Sequence, residues 1–314
     1  MKKVCENIRT SLPAFQKSSF DNHSKAVEKY LSYFDFNYES SRHRVGFVKS
    51  DSRQIFLHYI EPKPSNKSRG TVIFSHGYLC HSGIYSRFAD FLIKHNYSVL
   101  LWDLPGHGLS DGKRAYIGEF KEYAAVLADI IDTASDLTSQ PISLVGHSTG
   151  CSAILQYLHD QEDHRISNVV LLAPLIRSYA WHLSRVGTDV GSLFTDRIWR
   201  AQRRVTHDSS FQRFLEVQDP LRIATLPYAW VDALEAWNRN FREWEQSELP
   251  FTVIQGTDDT VVDWKYNLKQ IKKKYPNADI HRIDGGLHQL LNESPSIRQK
   301  VYQIIMENLL FNCA

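Results

Sequence analysis

Gln140-Pro141-Ile142-Ser143-Leu144-Val145-Gly146-His147-Ser148-Thr149-Gly150-Cys151 is the stretch on which the reading of this chain turns. Ile142, Leu144 and Val145 read as a buried strand, and Ser152 to Leu158 carries apolar residues at helical spacing. Ser148 therefore falls on the turn between them, inside Gly-x-Ser-x-Gly. Glycines at 146 and 150 predict a turn so tight that a side chain at either place would strike the neighbouring strand or helix. A serine hydroxyl lifted clear of a sheet in this way is presented as a nucleophile.

Working outward, strands and helices alternate on both sides. Thr71 to Phe74 predicts a strand, Tyr85 to His95 a helix, Ser98 to Trp102 a strand, and about Gly118 to Leu137 a helix; Val169 to Leu172 follows the elbow as another strand. This β-α-β rhythm predicts a mainly parallel sheet with helices on both faces. Before it, Val45 to Val48 and Ile55 to Ile60 flank Ser50-Asp51-Ser52-Arg53 as a hairpin. Beyond Ala173-Pro174 the rhythm stops. Residues 175–248 are rich in tryptophan and arginine and lack a convincing strand, so they are expected to form an inserted helical cap. The sheet is expected to resume at Phe251 to Ile254 and again at Ala278 to Ile283, with helices over Lys265 to Tyr275 and about Ser296 to Leu310. The organisation expected is an arm over 1–40, weakly patterned and either helical or irregular, a core over 41–174 and 249–314, and the cap between.

A serine hydroxyl needs a base to take its proton, and the base needs a third group to fix its tautomer and stabilise its charged form. Two loops offer such residues: Gln255 to Val262 after the first resumed strand, and Asp284-Gly285-Gly286-Leu287-His288 after the second. In a parallel sheet both lie at the carboxyl ends of strands, on the same rim as Ser148. Asp259 is preferred to its neighbour Asp258 because it directly precedes the Thr260-Val261-Val262 run that closes the loop onto the core. His288 is preferred to His281, which sits on a strand, and to His147, which adjoins the nucleophile too closely to approach its Oγ in line. Acyl transfer also needs N–H donors for the oxyanion: Thr149 supplies one, and Tyr78, after Ser75-His76-Gly77, is placed to supply the other.

Length and composition set the bounds. At 314 residues with a formal charge of only +2, the chain can hold one large core with an insertion, and no nucleic-acid partner is implied. Cys5, Cys80, Cys151 and Cys313 show no Cys-x-x-Cys spacing and read as free thiols of a reducing compartment. Met1-Lys2-Lys3 opens like an export signal, but Glu6, Asn7 and Arg9 interrupt what would be its apolar stretch. A cytoplasmic protein is expected, at most peripheral to a membrane, with no metal or organic cofactor.

These residues resemble the α/β-hydrolases, and within them the branch of the monoacylglycerol lipases and bacterial lysophospholipases. The resemblance spans roughly 70–173 and 250–293. It rests on Ser75-His76-Gly77 with His81-Ser82-Gly83-Ile84-Tyr85, on Asp103-Leu104-Pro105-Gly106-His107-Gly108-Leu109-Ser110-Asp111-Gly112, on the elbow, on Gly256 to Val262, and on His288 with Asn292-Glu293. It implies an α/β-hydrolase fold with Ser148 as nucleophile, Asp259 as acid, His288 as base, and Tyr78 and Thr149 as oxyanion donors. The substrate it implies is the ester of a single-chain lipid, a lysophospholipid or monoacylglycerol. The same triad could serve a peptidase or acyltransferase, or the fold could persist as a non-catalytic binding module. In the cap, seven arginines against three aspartates between Arg177 and Arg213 would suit a phosphorylated headgroup or an anionic membrane surface, and would equally suit a solvated helical face.

Overall fold

The structure, a computed structural model, describes residues 1–16, 24–37, 39, 41–63, 68–138, 140–179, 195–200 and 203–311. Trp181, Arg185, Asp189 and Cys313 lie outside the described residues, as does part of the loop expected after Pro62.

The frame is a sheet built from β1 (Ser41–Ser50), β2 (Arg53–Pro62), β3 (Thr71–Ser75), β4 (Ser98–Trp102), β5 (Ile142–His147), β6 (Ile166–Leu172) and, after a second small sheet of β7 (Arg197–Trp199) and β8 (Thr225–Pro227), β9 (Thr252–Gly256) and β10 (Asp279–Ile283). Among the described residues the large sheet has eight strands in the order β1-β2-β4-β3-β5-β6-β9-β10. The hairpin β1-β2 is antiparallel and joins β4 antiparallel. From β4 to β10 every pairing is parallel. The carboxyl ends of β3, β5, β9 and β10 therefore share one rim.

Parallel strands need crossovers, and the helices that supply them bury both faces. Helices α1 (Lys2–Ser11), α2 (Lys25–Tyr33) and α3 (Ser86–Lys94) lie on one face, and α4 (Phe120–Ser135) and α5 (Thr149–Asp160) on the other. Further along come α6 (Ser209–Arg213), α7 (Tyr228–Glu243), α8 (Trp264–Lys274) and α9 (Pro295–Phe311). The strand period of two sorts the side chains. Ile73 and Leu144 face a cluster with Leu127, Ile130, Ile154 and Ile271, while Val72, Phe74 and Val145 face one with Phe88, Leu92, Val301 and Ile305.

Two regions depart from expectation. The amino-terminal segment is not merely an arm. Cys5, Ile8, Val27, Tyr30 and Leu31 are buried against Phe47 and Phe56 of the hairpin, and Phe15 N–H donates to Phe47 O at 2.8 Å. Gly46 makes this approach possible, since a Cβ there would come within 2.4 Å of Phe15 Cα. Second, 175–248 is not helical throughout. β7 and β8 pair antiparallel, Ile198 opposite Leu226, and the ribbon is prolonged by Arg200 N–H to Ala224 O at 2.8 Å. The helix expected over Asp232 to Trp244 is present as α7, with Trp230, Trp237 and Phe241 buried against α4 and α5 residues.

Candidate active site

β5 ends at His147 and α5 begins at Thr149, so Ser148 is the single residue of the elbow. Its φ of 53° and ψ of −113° are strained for a residue with a side chain, and the surrounding packing holds it there. A Cβ on Gly146 would come within 2.8 Å of Ile154 Cδ1, and one on Gly150 within 2.0 Å of Ser75 O. The lack of a side chain at 150 lets β3 close against the elbow: Ser75 pairs with Gly146, and the loop leaving β3 passes beside Ser148. At Gly77 a Cβ would meet His147 Nδ1 at 2.8 Å and Ser148 Cβ at 3.0 Å.

The loops after β9 and β10 are locked together in the same manner. Thr257 N–H donates to Ile283 O and Asp258 N–H to Gly286 O, each at 3.0 Å, while a Cβ on Gly256 would approach Gly286 O to 2.2 Å. This places Asp259, not Asp258, against His288: Nδ1 of the imidazole donates to Asp259 Oδ2 at 2.8 Å. Asp258 is exposed. Asp259 is 3% exposed and also accepts from Val261 N–H at 2.7 Å, Val262 N–H at 3.2 Å and Gln255 Nε2 at 3.2 Å. Burial works against its ionisation, but the neighbouring His288 and the backbone N–H groups of Val261 and Val262 outweigh burial and hold the carboxyl below its ordinary pKa. With Nδ1 committed to Asp259, Nε2 of His288 is the nitrogen left to exchange a proton with a substrate or nucleophile.

Ser148 and His288 line one cavity of about 480 Å³, although no direct hydrogen bond joins them. Such contacts are often long before substrate arrives. Both ring nitrogens of His147 are engaged: Nε2 meets His288 O at 3.0 Å and Nδ1 meets Tyr85 OH at 3.2 Å. Burial and the nearby His288 push its pKa down to about 3, so it stays neutral and acts as a strut. His281 is on β10 beside Asp279 at 2.8 Å, away from this rim.

Tyr78 and Thr149 also line the cavity. Thr149 is the first residue of α5, so its N–H has no acceptor within the helix. The N–H of Tyr78 likewise has no hydrogen-bond acceptor among the described residues. The Tyr78 ring is pinned by stacking on Trp230, centroids 3.6 Å apart, and by its hydroxyl to Ala115 O at 2.7 Å. Leu79, next in the chain, takes a φ of 60°, which turns the loop sharply at this point. Below, Asp103 is fully buried and accepts from Ser82 N–H at 2.6 Å and Leu109 N–H at 2.7 Å, fastening the floor loop to the loop after β3.

Sequence reasoning missed several of these participants. Gln255 supports Asp259, Trp230 braces the Tyr78 loop, and Arg200 and Arg203 line the cavity. None carries a local motif; only folding brings them to the rim. Among the described residues, no group of three or more His, Cys, Asp or Glu is arranged to hold a metal ion. A larger groove of about 1180 Å³ lies at the opposite edge, around the first residues of β6, β9 and β10; His281 and Asp279 line it, and Ser148, Asp259, His288, Tyr78 and Thr149 do not.

Comparison with known proteins agrees with this architecture. The family model described as Hydrolase_4, serine aminopeptidase S33, matches residues 66–295. The monoglyceride lipase of Rattus norvegicus is 25% identical over 264 residues, covering 81% of this chain and 86% of the lipase. Phospholipase YtpA of Bacillus subtilis is 29% identical over 232 residues, covering 71% of this chain and 88% of its own. Among solved structures, a soluble variant of the Saccharomyces cerevisiae monoglyceride lipase superposes with a TM-score of 0.75 at 17% identity, covering 88% of this chain and 97% of that one. With the family model spanning well over half of the sequence and the sheet order described above, the chain belongs to the Hydrolase_4 family and is a hydrolase of the α/β-hydrolase fold, similar to the monoglyceride lipase and bacterial phospholipase branch.

Proposed function

We propose that this protein cleaves the carboxylic ester of a single-chain lipid through Ser148, His288 and Asp259. The observation that carries the reading is the pairing of His288 Nδ1 with a buried Asp259, on the cavity that also receives Ser148. In this mechanism His288 Nε2 takes the hydroxyl proton as Ser148 Oγ adds to the ester carbonyl. Asp259 keeps the imidazole in the required tautomer and stabilises the imidazolium. The N–H groups of Tyr78 and Thr149 receive the oxyanion, where loss of one donor typically raises the barrier by roughly 2.7 to 4 kcal/mol. Collapse expels the alcohol, which takes the proton from His288, and water then releases the fatty acid from Ser148 by the same steps.

The lining supports a lipid acyl group. Ile198, Leu226, Trp230, Val231, Leu234 and Val262 give the cavity a largely apolar wall suited to one hydrocarbon chain. The relatives named monoglyceride lipase and phospholipase favour the same class. The test is turnover of p-nitrophenyl esters by the wild type beside Ser148→Ala, with a fluorophosphonate probe to map the labelled residue. Loss of turnover and of labelling in the variant is expected; equal rates would remove Ser148 from the mechanism. The description of the family model favours a second reading, amide cleavage. Proline naphthylamide assayed beside the esters separates the two, and faster release of the amine than of any alcohol would reverse the choice.

A further inference from the structure

The cavity holding Ser148 and His288 contains two cations and, among its described lining residues, no carboxylate. Arg200 and Arg203 both reach it, and both also line a depression that opens from it between Val205, Gln212, Leu215, Glu216 and Arg222. Three arginines thus lie about one end of the cavity, two on its wall and Arg222 on the adjoining depression. Among the described residues none of the three forms an ion pair, whereas other arginines near the cap do: Arg177 with Asp263 at 2.6 Å and Arg87 with Asp208 at 2.8 Å. Glu216, which lines the depression, accepts from Gln212 Nε2 at 2.6 Å, and Asp219, whose charge also acts on Arg200, is paired with His81 at 3.1 Å.

The arginines are also held by the backbone of the site. Arg200 N–H extends the β7-β8 ribbon to Ala224 O at 2.8 Å. Arg203 donates Nη1 to Thr260 O, the carbonyl just after Asp259, and its guanidinium lies 5.8 Å from the Tyr179 ring centroid. Arginines on a cavity whose described lining holds no carboxylate, beside an apolar wall, match a phosphate, which offers several acceptor oxygens to planar N–H forks.

Resting on the reading of the site given above, we infer that Arg200, Arg203 and Arg222 form a subsite for the phosphate of the leaving group, so that the preferred substrate is a phosphorylated single-chain glycerol ester and not a neutral monoacylglycerol. The acyl chain occupies the apolar wall of Trp230, Val231 and Leu234, and the headgroup lies toward the arginines. A phosphate there is neutralised by charge-assisted hydrogen bonds that a glycerol hydroxyl cannot replace.

The experiment compares kcat/KM for short-chain lysophosphatidic acid with that for the monoacylglycerol of the same chain, both below their micelle concentration. The variants are Arg200→Gln, Arg203→Gln and Arg222→Gln, alone and together, with Arg200→Lys as the charge-retaining control. Wild type is expected to favour the phosphorylated ester by about tenfold or more. The triple variant is expected to lose at least that ratio, the lysine variant to keep part of it, and added salt to reduce it in wild type alone. Reading a ratio keeps any general loss of folded enzyme out of the result. A wild-type ratio near one, or a ratio unchanged by the triple variant, overturns the subsite while leaving ester hydrolysis standing. A preference that appears only on anionic vesicles also overturns it, in favour of attraction to a membrane surface. If wild type hydrolyses no ester in the Ser148 assay, the reading of the site and the subsite fall together.

Discussion

Two adjacent aspartates, chemically alike, have different fates in this molecule. Asp259 is buried, accepts from His288 and from two backbone N–H groups, and is held below its ordinary pKa; Asp258 points into solvent. Replacing Asp259 by Asn keeps the shape but offers the imidazole an amide, which cannot stabilise the imidazolium and selects the wrong tautomer. The expected loss in kcat is up to about 10⁴-fold, against less than about twofold for Asp258→Asn, both measured by stopped or continuous p-nitrophenyl ester assays. The reverse order of severity would assign the acid to Asp258. At the same scale, the strain at Ser148 is sustained by contacts and not by its own preference: Gly146, Gly150 and Gly77 each leave a space that a single methyl group would fill.

Between elements, the cap segment after α6 is clamped to the loop after β3. His81 Nε2 lies 3.1 Å from Asp219 Oδ1, and both are buried. Burial alone would lower the His81 pKa, but the charge and hydrogen bond of Asp219 outweigh it and raise the value above 6.5. Burial likewise opposes ionisation of Asp219, and His81 more than offsets it, so the carboxyl falls below 3.8. The signs then follow from linkage. The histidine's contribution is complete below its unfolded value of 6.5 and fades as pH rises through the raised folded value. The aspartate's contribution is present above its unfolded value of 3.8 and fades as pH falls through the lowered one. Asp219→Asn keeps an oxygen for Leu221 N–H, now at 2.9 Å, while removing the charge. Its melting-temperature deficit is expected to be largest between those two ordinary values and to shrink in alkaline buffer. Thermal melts across that range check it; a deficit that grows toward alkaline pH contradicts the clamp.

At the level of the whole molecule, the sheet supplies the rim that carries Ser148, Asp259 and His288, and the segment between β6 and β9 supplies the apolar wall against which the acyl chain rests in the proposed mechanism. Burying a methylene contributes about 0.8 kcal/mol, close to a fourfold gain in kcat/KM per carbon. A series of p-nitrophenyl esters from acetate upward is therefore expected to climb by roughly that factor per methylene and then level off once the cavity of about 480 Å³ is filled. A flat series would mean that the acyl group is not lodged there. Trp230 links the wall to the chemistry, because the ring that lines the cavity also stacks on Tyr78, whose N–H faces the reacting carbonyl in the proposed mechanism.

The elbow, the alternation of strands and helices and the loops that carry Asp259 and His288 were all legible in the chain, because each is written in short-range terms: an apolar run of strand length, a glycine pair, a helical period. The packing of Cys5, Ile8, Tyr30 and Leu31 against the hairpin was not, since their few apolar side chains gain meaning only opposite Phe47 and Phe56. Nor was the β7-β8 ribbon, whose three-residue strands are too short to show a period and exist through their mutual hydrogen bonds. The order of the residues dictated which backbone turns were possible and hence where a nucleophile could stand. The sequence favoured Asp259 over Asp258, and the fold supplies its contact with His288; tertiary structure alone decided which tryptophan steadies Tyr78 and which arginines face the cavity. Those outcomes depend on distances across the sheet, between residues that lie apart in the sequence, as Tyr78 does from Trp230.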